Sequence, residues 1–322
     1  MDQSVEYRMP FISFVLPAWK SLHLREAVAS IIAQTCSDWE LVVVDDCSPE
    51  PLDVIINSFE DSRIRYYRNS ENLGGKNLVK QWNHSISYAK GEFIVLAADD
   101  DVYRPSFCEQ VTRLSGKYPQ VDVIHSSVEQ IDEDGNHLWD DSILPEFTNK
   151  YEYLNWWLTG RSFTCIGNFA FRRTALKELG GFIDFPCAFG SDIATPISLS
   201  RNGVANTPEM LFCFRQSRNH LSADSSRFKE KLEAVSLLYE FLLSLHYEVP
   251  DSPQDRLFYS IVNKDYLHKK CIYDYYNLVI KHLPQERLFS YIRLCRLASY
   301  KDKFIMVLRW IKNRFEQTLL YA

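Results

Sequence analysis

The chain has 322 residues, 46% hydrophobic and 24% charged, with a net charge of −6, which is a globular composition with enough apolar material for one large domain or two smaller ones. "MDQSVEYRMP" lacks the basic and apolar regions of a signal peptide, no run approaches the roughly 20 apolar residues of a membrane helix, and eight scattered cysteines without a C-x-x-C pair read as reduced, buried thiols rather than a disulfide frame or zinc site. Residues 225–322 carry 16 Lys and Arg against 11 Asp and Glu, a net of +5, and the remainder is −11; an acidic body argues against nucleic-acid binding, and a basic tail leaves open contact with an anionic surface.

Through about residue 125, strand and helix signals alternate. "FISFVL" (Phe11–Leu16) is a strand before Pro17, and Leu24, Ala27, Val28, Ile31 and Ile32 recur at helical spacing, with Ser21 as a cap. "ELVVV" is a strand ending on Asp45-Asp46, "PLDVIINSF" a short helix and "RIRYY" a third strand. "NLGG" is a glycine loop leading into a helix from about Lys76 to Tyr88, and "EFIVLAA" is a fourth strand ending on Asp99, Asp100 and Asp101. "VDVIHSS" reads as a fifth strand. Strands that are apolar throughout, separated by single helices, predict an α/β fold with a parallel sheet covered on both faces. Further on, Asp134-Gly135 marks a hairpin turn, "NFAFRR" a strand, "RTALKELGG" a short helix, "SDIATPISLSRNG" another and "EMLFCF" a last strand. After about Leu221 the pattern is helical.

In open α/β sheets ligands bind outside the carboxyl ends of the strands, so Asp45-Asp46 and Asp99–Asp101 fall on one rim. Three adjacent carboxylates repel one another. They suit a divalent cation, a shared proton or a solvated turn; hard oxygen ligands in a partly open site favour Mg2+ or Mn2+, which keeps waters and takes phosphate oxygens.

"FISFVLPAWKSLHLREAVASIIAQTCSDWELVVVDDCSPEP" and "ENLGG…NHSISYAKGEFIVLAADDD" together resemble the family 2 glycosyltransferases, over roughly residues 10–220. The resemblance implies a GT-A fold over 1–224, with a nucleotide-sugar-binding half at about 10–125 and an acceptor half at 126–224, followed by a helical C-terminal region, 225–322. It implies an inverting transfer from a nucleotide-sugar, UDP being the expected nucleotide, to a glycan or lipid-linked glycan, assisted by Mn2+ or Mg2+, in surface polysaccharide biosynthesis on the cytoplasmic side. Pro17, Ala18 and Trp19 take the place of the nucleotide pocket, with Trp19 stacking on the base. Asp46, with Asp45 beside it, is expected at the base edge, and Lys76 near the diphosphate. Asp99 and Asp101 satisfy D-x-D, whereas alignment on Pro105 puts Asp100-Asp101 on the family's final pair and Ala98 on its first aspartate. Asp101 is taken as metal ligand, with Asp99 a second one or, like Asp100, at the ribose. "GGFIDFPCAFGSD" implies Asp192 as the general base that deprotonates the acceptor hydroxyl. Arg215 and Arg218 are candidates for the diphosphate, His220 for the metal, and Asn168 and Arg172 for the acceptor side.

In the aromatic run "KYEYLNWWLTGRSF", Tyr151, Tyr153, Trp156 and Trp157 could line an acceptor platform, though core burial is the simpler expectation. In "KDKFIMVLRWIKNRFEQTLL", Phe304, Val307, Leu308, Ile311, Phe315 and Leu319 share one helical face amid basic residues. Such a helix lies on an anionic membrane, joins a homodimer or closes a core, the last being the commonest use. Two other readings of the whole remain: a phosphoryl-transfer hydrolase using Asp99 and Asp101, though its motif belongs on a first strand, and a non-catalytic nucleotide-sugar-binding module.

Overall fold

The first apolar run forms β1 (Ile12–Ala18), and the alternation continues through α1 (Leu24–Ile32), β2 (Trp39–Asp45), α2 (Leu52–Asn57), β3 (Ile64–Arg68), α3 (Leu78–Ile86) and β4 (Phe93–Leu96). The computed structural model describes residues 11–216, 225–247 and 249–320. β1 lies between β2 and β4, parallel to both, and β3 extends the sheet beyond β2. Almost every side chain of β1 and β2 is buried, as helices on both faces of a parallel sheet require. α1 buries Leu24, Ala27, Val28 and Ile31, one stripe of the helix. Its entry is not capped by Ser21, whose backbone N–H donates to Glu50 (2.8 Å); His23 takes the cap position. Phe14 anchors this core edge-on to Tyr103, with centroids 5.1 Å apart, and each such buried side chain contributes about 1.5–3 kcal/mol.

The second half is mixed. It runs β5 (Val102–Tyr103), α4 (Phe107–Lys117), β6 (Val123–Ile131), β7 (His137–Asp140), β8 (Phe147–Thr148), α5 (Lys150–Leu158), β9 (Phe169–Arg172), α6 (Arg173–Glu178), α7 (Ser191–Leu199) and β10 (Val204–Arg215). The sheet order is β3-β2-β1-β4-β9-β6-β10-β5, with β7 on β6 and β8 on β10. The fifth strand therefore does not join β4 directly: β9 lies between β4 and β6, antiparallel to both. Phe169, Ala170 and Phe171 are all fully buried, and a strand apolar on both faces belongs inside a sheet rather than at its edge. The β6–β7 turn is the expected hairpin, with Gly135 at φ 84° and the Asp132 carboxylate accepting from the amides of Asp134 and Asn136.

Contacts divide the chain into two compact units. One holds the sheet, through Ile183 and over Thr195–Ser217. The other holds Asp184–Ala194 and the C-terminal helices α8 (Phe228–Ser244), α9 (Pro253–Ile261), α10 (Lys264–Leu278), α11 (Gln285–Ile292) and α12 (Tyr300–Leu320). In the second unit α8 and α10 pack together, burying Leu232, Val235, Leu267 and Cys271, with hydrogen bonds between Ser236 and Tyr275 (2.6 Å) and from Tyr239 to Asp274 (2.5 Å). No described helix is long and apolar enough to cross a membrane.

Candidate active site

β1, β2 and β3 end abreast, with Ala18, Asp45 and Arg68 in register across three strands. Asp45 is fully buried and braces this rim: it accepts from the Ser48 amide (2.7 Å), the Tyr66 hydroxyl (2.5 Å) and the Arg68 guanidinium. Asp46 is also buried. Its two oxygens accept from Asn69 Nδ2 (2.8 Å) and from the amides of Leu73 (2.9 Å) and Gly74 (2.7 Å), so it shapes the Asn72–Gly75 loop. A Cβ on Gly74 would stand 3.0 Å from the Asp46 carboxylate, a tight approach that glycine spares the loop. Cys47, next along, has φ 58°, a left-handed conformation that costs about 1–3 kcal/mol in a non-glycine residue and recurs at functional turns. Lys76 points away into an exposed ion pair with Glu71 (2.5 Å), and α3 starts two residues later on the Asn77 cap.

The three aspartates sit where β4 leaves the sheet, and two separate segments hold them. Val15 pairs with Leu96, so the residues after β4 draw level with the end of β1. Asp99 accepts from the amides of Trp19 and Lys20, both at 2.8 Å, fixing the turn after β1 to the carboxylate cluster. On the other side, β5 pairs with β10, and the backbone amide of Arg215 donates to Asp101 (2.9 Å). The Arg215 guanidinium is buried. It donates to the carbonyls of Asp100 (2.8 Å), Asp132 (3.2 Å) and Glu133 (3.1 Å) and to the Glu26 carboxylate (2.7 Å), so it ties the acidic turn to the hairpin and to α1 instead of facing a diphosphate. Burial pushes the Asp99 and Asp101 carboxyls upward, Asp101 well above the usual range, and the charge of Asp100 adds to both.

This donor set fits a divalent cation. Ionised carboxylates that cost energy through burial and mutual repulsion are relieved by a nearby positive charge. Among the described residues no three acidic, histidine or cysteine side chains form a ready-made cluster; Mg2+-type sites use one or two carboxylates and complete their shell with water and substrate phosphate. Asp101, with Asp99 beside it, would hold such an ion. Trp19 is 37% exposed at the end of β1 next to the part-buried Pro17 and buried Ala18, leaving its ring accessible for stacking.

Asp192 lies in the first turn of α7, just after Gly190 (φ 83°), in the stretch that groups with the helical unit. Burial pushes its carboxyl up to about 7. Cys187 and Ala188, immediately before it, both hold left-handed φ values of 58°. Asn168 and Arg172 serve the fold: Asn168 is buried and donates to the Ser126 carbonyl (2.8 Å), and Arg172 binds Glu92 (2.5 Å) and Asp122 (3.1 Å). Tyr151 and Tyr153 are core, while Trp156 and Trp157 stay half-buried. Arg218 and His220 lie outside the described residues. Two residues that the motifs do not mark stand beside the cluster: Glu26, the partner of Arg215, and His23, whose buried Nε2 has no hydrogen-bond partner among the described residues and whose ring feels the charges of Arg215, Glu26 and Asp99. Their only signal is position in the first turn after β1.

A family model described as "Glycosyl transferase family 2" matches residues 13–180. Among curated proteins, a putative colanic acid biosynthesis glycosyl transferase, WcaA of Escherichia coli K12, is 36% identical over 30% of this chain and 35% of its own length. An uncharacterized glycosyltransferase of Rickettsia felis is 30% identical over 45% of this chain and 24% of its own. The chain thus spans only about a third and a quarter of those two proteins. Escherichia coli WfgD, a UDP-Glc:alpha-D-GlcNAc-diphosphoundecaprenol beta-1,3-glucosyltransferase, is 24% identical over 83% of this chain and 97% of its own length. In structure, residues 1–349 of S. aureus TarS with UDP-GlcNAc superpose at a TM-score of 0.70 and 14% identity, covering 94% of this chain and 89% of that one. The Pyrobaculum calidifontis mannosyltransferase PcManGT with GDP-Man and Mn2+ superposes at 0.53 and 15% identity, covering 97% and 84%. The mixed sheet flanked by helices is that of the GT-A fold, and the family match extends over more than half of the chain, which belongs to glycosyl transferase family 2.

Proposed function

We propose that the protein moves a sugar from a UDP-sugar to a hydroxyl of a lipid-linked glycan, with inversion at the anomeric carbon, assisted by Mn2+ or Mg2+, in surface-polysaccharide assembly on the cytoplasmic side of a membrane. The observation that carries it is the acidic turn Asp99–Asp101, held by the amides that follow β1 on one side and by the Arg215 amide at the end of β10 on the other, with the buried Asp101 carboxyl pushed well upward. UDP-GlcNAc in TarS and the donor and acceptor in the name of WfgD support the choice of nucleotide and acceptor class.

The residues divide the work as follows. Trp19 stacks on the base, a contact worth about 1–3 kcal/mol. Asp46 and Arg215 position rather than touch: one sets the glycine loop, the other the acidic turn. When bound, the cation stabilises negative charge on the departing diphosphate. Asp192 takes the acceptor hydroxyl proton as that oxygen bonds to the anomeric carbon and the bond to the diphosphate breaks on the opposite face. A carboxyl at about 7 is substantially ionised at neutral pH and basic enough to accept that proton. The boundaries 1–224 for the catalytic domain and 225–322 for the helical region belong to the same reading.

The test is transfer from UDP-Glc and UDP-GlcNAc to a synthetic lipid-diphosphate-linked sugar, followed by mass spectrometry. Asp192→Asn is expected to lower kcat by about 10²–10⁴-fold while leaving UDP affinity intact. Transfer at the wild-type rate by Asp192→Asn would remove it as the base. Free phosphate or no product from any UDP-, GDP- or CDP-sugar would overturn the reading as a whole.

A further inference from the structure

Helix α12 has two apolar faces, and among the described residues only one is buried. Met306 is fully buried and Trp310 is 8% exposed; Trp310 donates to the Leu283 carbonyl (3.0 Å), and Asp302 bonds to Ser299 and to His268 (3.1 Å). The face that sequence spacing assigns to core packing turns outward instead. Phe304 is 63% exposed, Leu308 49% and Phe315 66%, with Tyr300 and Ile311 also exposed and Val307 half-buried between them. The side chain of Leu319 lies outside the described residues.

At about 100° per residue, Tyr300, Phe304, Val307, Leu308, Ile311 and Phe315 fall within roughly a third of the helix circumference. Lys301 and Lys312 flank that stripe on one edge and Lys303 on the other, where Arg314 instead donates to the Leu283 carbonyl (2.9 Å). The two acidic residues of the segment, Asp302 and Glu316, fall outside the stripe; Asp302 is held by Ser299 and His268, and Glu316 pairs with Lys312 (3.7 Å). A groove of about 380 Å³ between Pro284, Gln285, Trp310, Ile311, Arg314 and Phe315 continues the apolar surface toward the start of α11.

From this arrangement we infer that α12 is a membrane-surface helix, lying in the headgroup region of an anionic phospholipid bilayer with Phe304, Leu308, Ile311 and Phe315 among the acyl chains. An apolar stripe about 100° wide with cationic residues along both edges is the pattern of an interfacial helix. Lysine there extends its stem along the apolar surface and leaves the charge among lipid phosphates. A second copy of the chain is a poor occupant, because its own cationic edges would face these. The net charge of +5 over 225–322, set against −11 elsewhere, orients the molecule on such a surface in the same sense.

Flotation of the full chain with phosphatidylcholine vesicles, with and without about 30% phosphatidylglycerol, tests the inference. Binding is expected only with the anionic lipid and is expected to weaken as salt rises. The triple variant Phe304→Ser, Leu308→Ser, Phe315→Ser and the double variant Lys301→Glu, Lys312→Glu should each lose at least about tenfold in binding. Both should keep the wild-type thermal midpoint and UDP affinity, since these side chains face outward. Equal binding by wild type and triple variant, or no binding to anionic vesicles, overturns the inference. A wild-type dimer that the triple variant dissociates, without vesicle binding, reassigns the face to a second copy. Vesicle binding without UDP binding would leave this inference standing and refute the donor site.

Discussion

The guanidinium of Arg215 gathers three carbonyls and one carboxylate from segments as far as 189 residues apart, and its backbone amide completes the hold on Asp101. Arg215→Ala should leave those buried carbonyls without donors, at about 1–3 kcal/mol for each group left unsatisfied, visible as a lower Tm. UDP binding in Mn2+ should weaken too, although the side chain touches no nucleotide. An alanine variant with unchanged Tm and affinity would refute that positioning role. The inward turn of this arginine was not legible: "FCFR" marks a basic residue after a strand, but the carbonyls that draw it inward belong to the hairpin and the acidic turn, which sequence spacing does not place beside it. Asp192 carries a second expectation. With its carboxyl at about 7, the protonated form dominates below that pH and cannot accept a proton, so kcat/KM should fall progressively as pH drops from 8 to 6 in about the manner of a single titration. A profile flat across that window speaks against Asp192 as base.

Short elements, more than long ones, decide where the carboxylates stand. The strands β1, β2 and β4 were legible because burial on both faces writes them as unbroken apolar runs, and the helices between them because their buried stripes recur every three to four residues. β5 and β8, two residues each, leave no such signal, yet β5 turns the chain after Asp101 back onto β10. The place of β9 between β4 and β6 was equally hidden, since it depends on non-local pairing. Asp46 shows the same limit within the site. Its position at a strand end is plain in "VVVDD", but its bonds to the amides of Leu73 and Gly74 come from the loop after β3. Asp46→Ala should release those two amides, so their hydrogen exchange should quicken by about tenfold or more, given about 1.5–3 kcal/mol for a hydrogen bond to a charged group. Unchanged exchange would mean that the glycines alone hold the loop.

Along the chain the charge is divided, with residues 1–224 acidic and 225–322 basic, and the proposed donor site falls in the first while the proposed lipid contact falls in the second. The amphipathic character of α12 was legible, but which of its two apolar faces the protein itself would cover was not, because Met306 and Trp310 compete with the Phe304–Phe315 stripe and only tertiary packing selects between them. In the sheet-bearing part of the chain, the proposal rests on the buried Asp101 carboxylate, with the part-buried Asp99 and Asp100 beside it, holding a cation that serves a nucleotide diphosphate. Calorimetric titration of UDP into the wild type and Asp101→Ala, each with and without Mn2+, measures it directly. Mn2+-dependent binding to the wild type that Asp101→Ala abolishes is the expected result. Binding that ignores both the metal and the substitution, or no binding of UDP, GDP or CDP under any condition, would contradict it.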